Sequence, residues 1–127
     1  SSSSSSSSSR VFTYFFTHKF LVMDVIEAAG KKPLGVCHGS ELVLVFGQEE
    51  LLWSKEEKAL SQRVRQFWGN FARYGDPNGD SKAPRVWPPF EGTFNTTLQL
   101  DTKIGVLKGL KQDACNLWDI VDTGPVL

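Results

Sequence analysis

The sequence predicts an α/β fold, in which helices pack against a small sheet, and three segments indicate it. Residues 11–16 are β-branched or aromatic and apolar nearly throughout, which is typical of a strand in a sheet buried on both faces. Residues 55–74 place apolar side chains at helical spacing, and residues 98–101 alternate as a short strand does. We therefore expect one or two sheet strands together with helices.

The composition is that of a chain with a substantial core to fill. Of the 127 residues, 40% are hydrophobic, and nine Phe, four Trp and two Tyr supply large aromatic side chains. Lys plus Arg and Asp plus Glu balance at 14 each, so no electrostatic argument favours a nucleic acid or an anionic membrane as partner. No stretch approaches the roughly 20 apolar residues of a transmembrane helix.

The N-terminus differs from the rest of the chain in composition. Residues 1–9 are all serine, and such a tract cannot bury enough apolar surface to order itself. We therefore separate a low-complexity tail, residues 1–10, from a folded part, residues 11–127. The tail is either a solvated linker or an artefact at the edge of an incomplete gene model.

After the first strand come two segments with weaker patterns. Residues 20–29 fit a short helix that Gly30 closes, and Pro33 prevents its extension. Residues 41–46 are apolar enough to be a strand by periodicity alone.

A long helix over residues 55–74 is the clearest element. Ser54 and Glu57 form a capping box, in which each side chain satisfies a backbone amide at the helix start, and Gly75 is expected to end the helix. The helix must pack on the rest of the molecule through one apolar stripe, formed by Leu60, Val64, Phe67, Trp68 and Phe71.

The remaining chain is predicted to hold a long connection, a strand and a helix. Residues 75–92 are rich in turn signals, with DPNG at residues 76–79, and the strand at 98–101 follows. Residues 106–121 predict a final helix. Its inward-facing side chains are expected to be Leu107, Leu110, Ala114, Leu117, Trp118 and Val121.

The segment GVCHGSE, residues 35–41, is the one most suggestive of chemistry. It places His38 between two glycines, whose backbone freedom can bring an imidazole into a cleft. Near neutral pH an imidazole both accepts and returns a proton, so His38 is a candidate general base for a nucleophilic hydroxyl. Residues 35–39 also fit an elbow with Cys37 as nucleophile. Adjacent side chains on an extended loop point apart, however, so Cys37 is interpreted as a small neighbour of the histidine.

His18, the other histidine, is interpreted as structural. The two histidines and two cysteines show no spacing that resembles a zinc motif, so neither a metal nor a cofactor is expected.

Several stretches in the same order resemble the C-terminal part of type-B carboxylesterases, the α/β-hydrolase family that includes the cholinesterases. They are YFFTHK (14–19), GVCHGSE (35–41), ELVLVFG (41–47), QFWGNFARYGDPNG (66–79), WPPF (87–90) and CNLW (115–118). The resemblance covers residues 11–121. It implies the C-terminal portion of an α/β-hydrolase fold, incomplete on its own, and a short helix rather than a strand at residues 41–46.

The resemblance also implies roles for two residues of the histidine loop. His38 is expected to be the catalytic histidine of a serine–acid–histidine triad. Glu41 is expected to support the site from nearby, or else to be a solvated carboxylate that begins the short helix. Ser40 stands where carboxylesterases commonly have aspartate and cholinesterases tyrosine, which leaves the subfamily open.

The sequence lacks the rest of the machinery that such an esterase requires. No serine lies in the G-x-S-x-G setting of a nucleophile elbow, and in this fold the serine and the acid precede the histidine in the chain. The chain is therefore expected to supply the catalytic histidine of an enzyme that hydrolyses small-molecule esters. On its own it is expected to be inactive. The alternatives are a non-catalytic, cholinesterase-like adhesion domain with a protein partner, or an inactive truncated product.

Further expectations concern secretion and assembly. The resemblance implies an extracellular or membrane-anchored protein, a disulfide from Cys115 to a cysteine outside this chain, and a homodimer through C-terminal helices. Asn95 begins an N-glycosylation sequon on a plausible surface turn. We expect Cys115 to be unpaired within this chain, although a bridge to Cys37 is possible by count.

Overall fold

The computed structural model describes residues 9–80 and 82–122. Most of the tail predicted at residues 1–10, and the end of the folded part predicted at 11–127, lie outside the described residues. The elements, in chain order, are β1 Tyr14–Phe16, α1 Leu21–Ala28, α2 Leu42–Val45, a 3-10 turn Glu49–Leu51, α3 Lys55–Tyr74, β2 Thr97–Leu100, β3 Gly105–Leu107 and α4 Gln112–Asp122.

The strands form one sheet in the order β1-β2-β3. β1 runs parallel to β2, with Tyr14 opposite Leu98, and β2 runs antiparallel to β3. The long connection between β1 and β2 contains α1, α2 and α3, as parallel strands require a crossover. The α/β prediction is confirmed, with three strands where one or two were expected.

β1 is shorter and more exposed than predicted. Only Tyr14–Phe16 of residues 11–16 is strand, and Tyr14 and Phe15 are 39% and 36% exposed. The expectation of burial on both faces was therefore wrong for this strand. The physical reason is that the two faces of β1 have different neighbours: the Tyr14 ring packs against Trp68 and Trp87, whereas the Phe15 ring has the charged Lys111 side chain over it.

The two short segments before α3 are both helical. α1 lies within the predicted 20–29 span, and Gly30 follows it with a φ of +83°. At residues 41–46 the helix implied by the resemblance is correct and the strand suggested by periodicity is wrong. Leu44 of α2 is fully buried, whereas Phe46 is 72% exposed.

α3 spans the predicted residues and has the predicted ends. The Ser54 hydroxyl accepts from the Glu57 amide, and the Glu57 carboxylate accepts from the Ser54 amide. Gly75 ends the helix in the left-handed conformation, with a φ of +67°. Leu60, Val64 and Phe67 are buried as expected, but Phe71 is 51% exposed.

The core lies between α3 and the sheet. Its buried apolar residues are Phe20, Leu44, Leu52, Leu60, Val64, Phe67, Trp87, Leu98 and Leu100. Trp87 shows that the WPPF segment packs against the body, since its indole nitrogen donates to the Thr13 carbonyl at 3.1 Å. The Asn78 side chain bonds the amide and carbonyl of Trp87 and so joins the DPNG turn to this loop.

The final helix differs most from its prediction. Gly105–Leu107 is strand β3, and α4 begins only at Gln112, after a turn in which Gly109 and Lys111 have φ values of +66° and +54°. The expected inward face was also wrong, because Leu117, Trp118 and Val121 are 59%, 68% and 62% exposed. Val106 pairs with Leu98 of β2 instead of continuing a helix. In the described ranges, no helix is both long and apolar enough to cross a bilayer.

Candidate active site

His38 lies in a tight turn immediately before α2, and its side chain is exposed. Gly35 and Gly39 have φ values of +58° and +78°, a conformation that residues with a Cβ rarely adopt. The Cys37 amide donates to the Ser40 hydroxyl at 3.0 Å, and the Ser40 amide donates to the Cys37 carbonyl at 3.1 Å. The turn is thus closed by its own hydrogen bonds, none of which involves the His38 imidazole.

Cys37 does not have the surroundings of a nucleophile. Its thiol is exposed and donates to the Leu34 carbonyl at 3.3 Å. A reactive cysteine needs a neighbouring base or cation, and the hydrogen-bond partner of the Cys37 thiol is a carbonyl oxygen.

Glu41 links the histidine turn to the sheet. The Tyr14 hydroxyl, on β1, donates to Glu41 Oε1 at 3.3 Å. The Glu41 carbonyl accepts from the amides of Leu44 and Val45, so the same residue begins α2. Glu41 thus lies at the start of the helix, and the residue is half-buried.

α2 is fixed on α3 by buried contacts. The Ser61 hydroxyl, on α3, donates to the Leu44 carbonyl at 2.8 Å. At the end of α2, Gly47 has a φ of +60° and lets Arg65 approach closely: a Cβ there would lie 3.1 Å from Arg65 Cζ. The segment that follows the histidine turn is thereby held to the longest helix of the molecule.

An aromatic cavity of about 230 Å³ opens between β1 and α3. Tyr14 belongs both to this cavity and to the contact with Glu41. The lining is almost wholly apolar and consists of Phe12, Tyr14, Phe67, Trp68, Phe71, Pro77 and Trp87.

His18 belongs to a separate, partly buried polar cluster. Its Nδ1 lies 3.1 Å from Asp101 Oδ1, and its Nε2 lies 3.2 Å from Glu57 Oε1. The ring thus joins the end of β1 to the start of α3 and the end of β2, which supports a structural role.

Glu57 is the centre of this cluster. Burial favours its neutral form, but hydrogen bonds from the amides of Leu21, Ser54 and Trp53 and from His18 outweigh burial, and its pKa is lowered. Likewise, burial opposes the charge of Asp101, yet hydrogen bonds from Thr17, Thr102 and His18 lower its pKa. Sequence reasoning recognised Glu57 only as a capping residue, and its spacing from Ser54 gave no sign of the other three donors.

Cys115 and Asn95 lie together, on a different part of the surface. Both line a cavity of about 310 Å³ beside α4. Cys115 and Cys37 are free and exposed in this chain. Asn95 has a φ of +44°, and its Nδ2 donates to Gln112 Oε1.

The structure therefore places His38 and Glu41 on one turn. Within residues 9–80 and 82–122, no side chain hydrogen-bonds the His38 imidazole. Tyr14, which sequence reasoning treated only as part of a strand, is the added member of this region.

Comparison with known proteins gives a consistent result. The model of the carboxylesterase family matches residues 1–118. The chain is similar to acetylcholinesterase of Electrophorus electricus, with 36% identity over 126 residues, 93% of this chain and 19% of the relative. For acetylcholinesterase of Danio rerio the identity is 35%, covering 91% of this chain and 19% of the relative. For acetylcholinesterase of Gallus gallus the identity is 34%, covering 86% of this chain and 14% of the relative.

The chain thus spans about a fifth or less of the length of these relatives. The match nevertheless extends over most of the chain and includes the histidine turn, α3 and β2. The chain belongs to the carboxylesterase family.

Proposed function

We propose that this chain supplies the catalytic histidine, His38, of a serine carboxylic ester hydrolase. The observation that carries the proposal is an exposed imidazole on a glycine-flanked turn, in a chain of the carboxylesterase family. Tyr14 of β1 contacts Glu41 at the end of the turn, and Ser61 of α3 holds α2, the helix that follows the turn. An imidazole in this setting is accessible to a hydroxyl brought in by the rest of the protein.

The reaction is acyl transfer in two steps. His38 takes the proton of a serine hydroxyl as that oxygen attacks the ester carbonyl, and returns it to the leaving alcohol. It then takes a proton from water, which attacks the acyl-enzyme, and returns that proton to the serine. The triad acid holds the other ring nitrogen, and backbone amides stabilise the oxyanion.

The serine, the acid and the oxyanion hole are proposed to come from residues that precede this chain in the complete protein. In the sequence given, no G-x-S-x-G elbow is present. Residues 1–127 alone are therefore proposed to be inactive. Glu41 is proposed to support the site through its position beside the histidine turn.

The substrate class is proposed to be small-molecule esters. The relatives are named acetylcholinesterases, which act on a choline ester by name, but Ser40 leaves the acyl and alcohol preference of this chain open. An extracellular or membrane-anchored location, a glycan on Asn95 and a disulfide from Cys115 complete the proposal. A homodimer through C-terminal helices is also part of the proposal.

The test is to determine the transcript upstream of Arg10 and to assay the complete protein with short-chain acyl esters. We expect a G-x-S-x-G elbow, then an acidic residue, and hydrolysis through an acyl-enzyme. A complete protein that lacks the serine and hydrolyses no ester would contradict the proposal and favour a non-catalytic adhesion domain.

A further inference from the structure

The turn that carries His38 contains glycine, whereas a catalytic histidine must be held in a fixed position. Hydrogen bonds within the turn join Cys37 to Ser40, but the glycine at position 39 permits many backbone conformations next to His38. General-base catalysis requires the imidazole to lie within hydrogen-bond reach of the proton it removes. A contact from a rigid element to the turn would remove part of this freedom.

Tyr14 provides such a contact. Its hydroxyl donates to Glu41 Oε1 at 3.3 Å, and Glu41 lies three residues after His38. Because the Glu41 carbonyl also accepts from Leu44 and Val45, a carboxylate fixed by Tyr14 fixes the start of α2 as well.

The phenol itself is rigidly mounted. Tyr14 pairs in register with Leu98, which is fully buried in β2. Its ring contacts Trp68 edge-on at 5.2 Å between centroids, and Trp87, which is 4% exposed, at 6.1 Å. With the backbone held by the sheet and the ring held by two indoles, the position of the hydroxyl is set by the core.

We propose that Tyr14 is a positioning residue: its hydroxyl holds the Glu41 carboxylate against the sheet and thereby fixes the turn that carries His38. This inference rests on the proposed function, because its consequence is catalytic. Tyr14 acts through Glu41 and contacts no reacting atom.

The ionisation of Tyr14 agrees with this contact. Burial raises the pKa of Tyr14, and the nearby Glu41 carboxylate raises it further through its charge and its hydrogen bond. The contact between Tyr14 and Glu41 can therefore be tested through the pKa of Tyr14, without an activity assay.

The catalytic test is a double-mutant cycle in the complete protein, with Tyr14→Phe, Glu41→Ala and the pair. Tyr14→Phe removes one oxygen and keeps the ring packing. We expect it to lower kcat about three- to tenfold, the scale of one hydrogen bond, with KM unchanged within about twofold. In the Glu41→Ala background, Tyr14→Phe should have no further effect.

The matched control is Tyr74→Phe, which removes the same oxygen at the exposed end of α3 and should leave kcat unchanged. If Tyr14→Phe leaves kcat unchanged, or its loss adds in full to that of Glu41→Ala, the positioning role is wrong.

The second test is a tyrosine 13Cζ NMR titration, with the Tyr14 resonance assigned by its loss in Tyr14→Phe. Glu41→Ala should lower the pKa of Tyr14, and no change would overturn the proposal. This result separates the two failures: an inactive complete protein whose Tyr14 still responds to Glu41→Ala refutes the proposed function, not the contact.

Discussion

At the scale of single residues, Glu57 shows how a buried charge can be stabilised. Its side chain is 1% exposed and lies within hydrogen-bond distance of four nitrogen atoms. Oε1 accepts from the Leu21 amide at 2.7 Å and lies 3.2 Å from His18 Nε2. Oε2 accepts from the amides of Trp53 and Ser54, at 2.8 and 3.1 Å. One side chain therefore joins the start of α1, the chain before α3 and the end of β1.

This geometry predicts that Glu57→Gln is destabilising although the two side chains have the same shape. Either orientation of the amide places its NH₂ group against at least one backbone donor, the Leu21 amide on one side or the Trp53 and Ser54 amides on the other, which then lacks an acceptor. We expect a loss of about 1–3 kcal/mol in the free energy of unfolding, measured by chemical denaturation at pH 7. Glu56→Gln, an exposed neighbour in the same helical turn, is the control and should be nearly neutral.

The pH dependence of this difference has a definite sign. Since the pKa of Glu57 is lower in the folded state than its ordinary value, its contribution is present above the unfolded pKa, about 4.3. It is lost as the pH falls through the folded pKa. The stability gap between the native protein and Glu57→Gln should therefore narrow in acid below about pH 4.3. A gap that widens in acid would refute this account of the charge.

At the scale of elements, one glycine inside α3 and another that ends it should respond to substitution in opposite ways. Gly75 ends the helix with a φ of +67°, whereas Gly69 lies inside it, and a Cβ would meet no atom within 4 Å at either position. Because a Cβ has room at both positions, the backbone conformation alone decides whether the substitution raises or lowers the free energy of unfolding.

We expect Gly69→Ala to stabilise the protein by about 0.5–1 kcal/mol, because alanine favours the helix. Gly75→Ala should destabilise it by about 1–2 kcal/mol, the cost of a left-handed conformation for a residue with a Cβ. Thermal or chemical unfolding of the two variants checks this pair. Equal shifts of the same sign would show that the end of α3 is not held as described.

The elements also show what sequence can and cannot reveal. α3 was predictable because its cap, its stripe and its terminal glycine are all local signals. α4 was misplaced because the apolar spacing of residues 106–121 is helical, whereas Val106 is drawn into the sheet by Leu98, a partner in β2. At residues 41–46 the periodicity was ambiguous, and packing of Leu44 on α3 decides for a helix.

Some residues of the candidate site could be predicted from the sequence, and others could not. His38 and Glu41 stand out in one short segment of sequence. Their tether, Tyr14, lies 27 positions from Glu41 and reads as an ordinary strand residue. The role of Glu57 toward His18 and Leu21 was equally hidden, because it depends on how β1 and α1 meet α3.

At the scale of the whole molecule, the described surface carries much apolar area. Trp118 and Ile120 of α4 are 68% and 69% exposed, and Phe15 of the edge strand β1 is 36% exposed. Large exposed apolar patches mark surfaces that contact other protein, or else they promote aggregation. Under the proposed function, residues outside this chain would cover this surface, since the chain spans about a fifth of its relatives' length.

We therefore expect residues 11–127, expressed alone, to associate in solution and to bind a hydrophobic dye such as ANS. Size-exclusion chromatography with light scattering checks the first property, and dye fluorescence checks the second. Trp118→Lys, which removes one of the most exposed aromatic rings, should reduce both effects. A monodisperse monomer with cooperative unfolding would show that this part of the family fold is self-sufficient.

The central claim is that His38 is the base of an ester hydrolase, and kcat for a short-chain ester in the complete protein tests it most directly. His38→Ala is expected to lower kcat by about 10⁴-fold or more, the scale of losing a triad member. Cys37→Ala, which alters the adjacent residue on the same turn, should leave kcat within about twofold. A His38→Ala protein that hydrolyses the ester at the native rate would contradict the account.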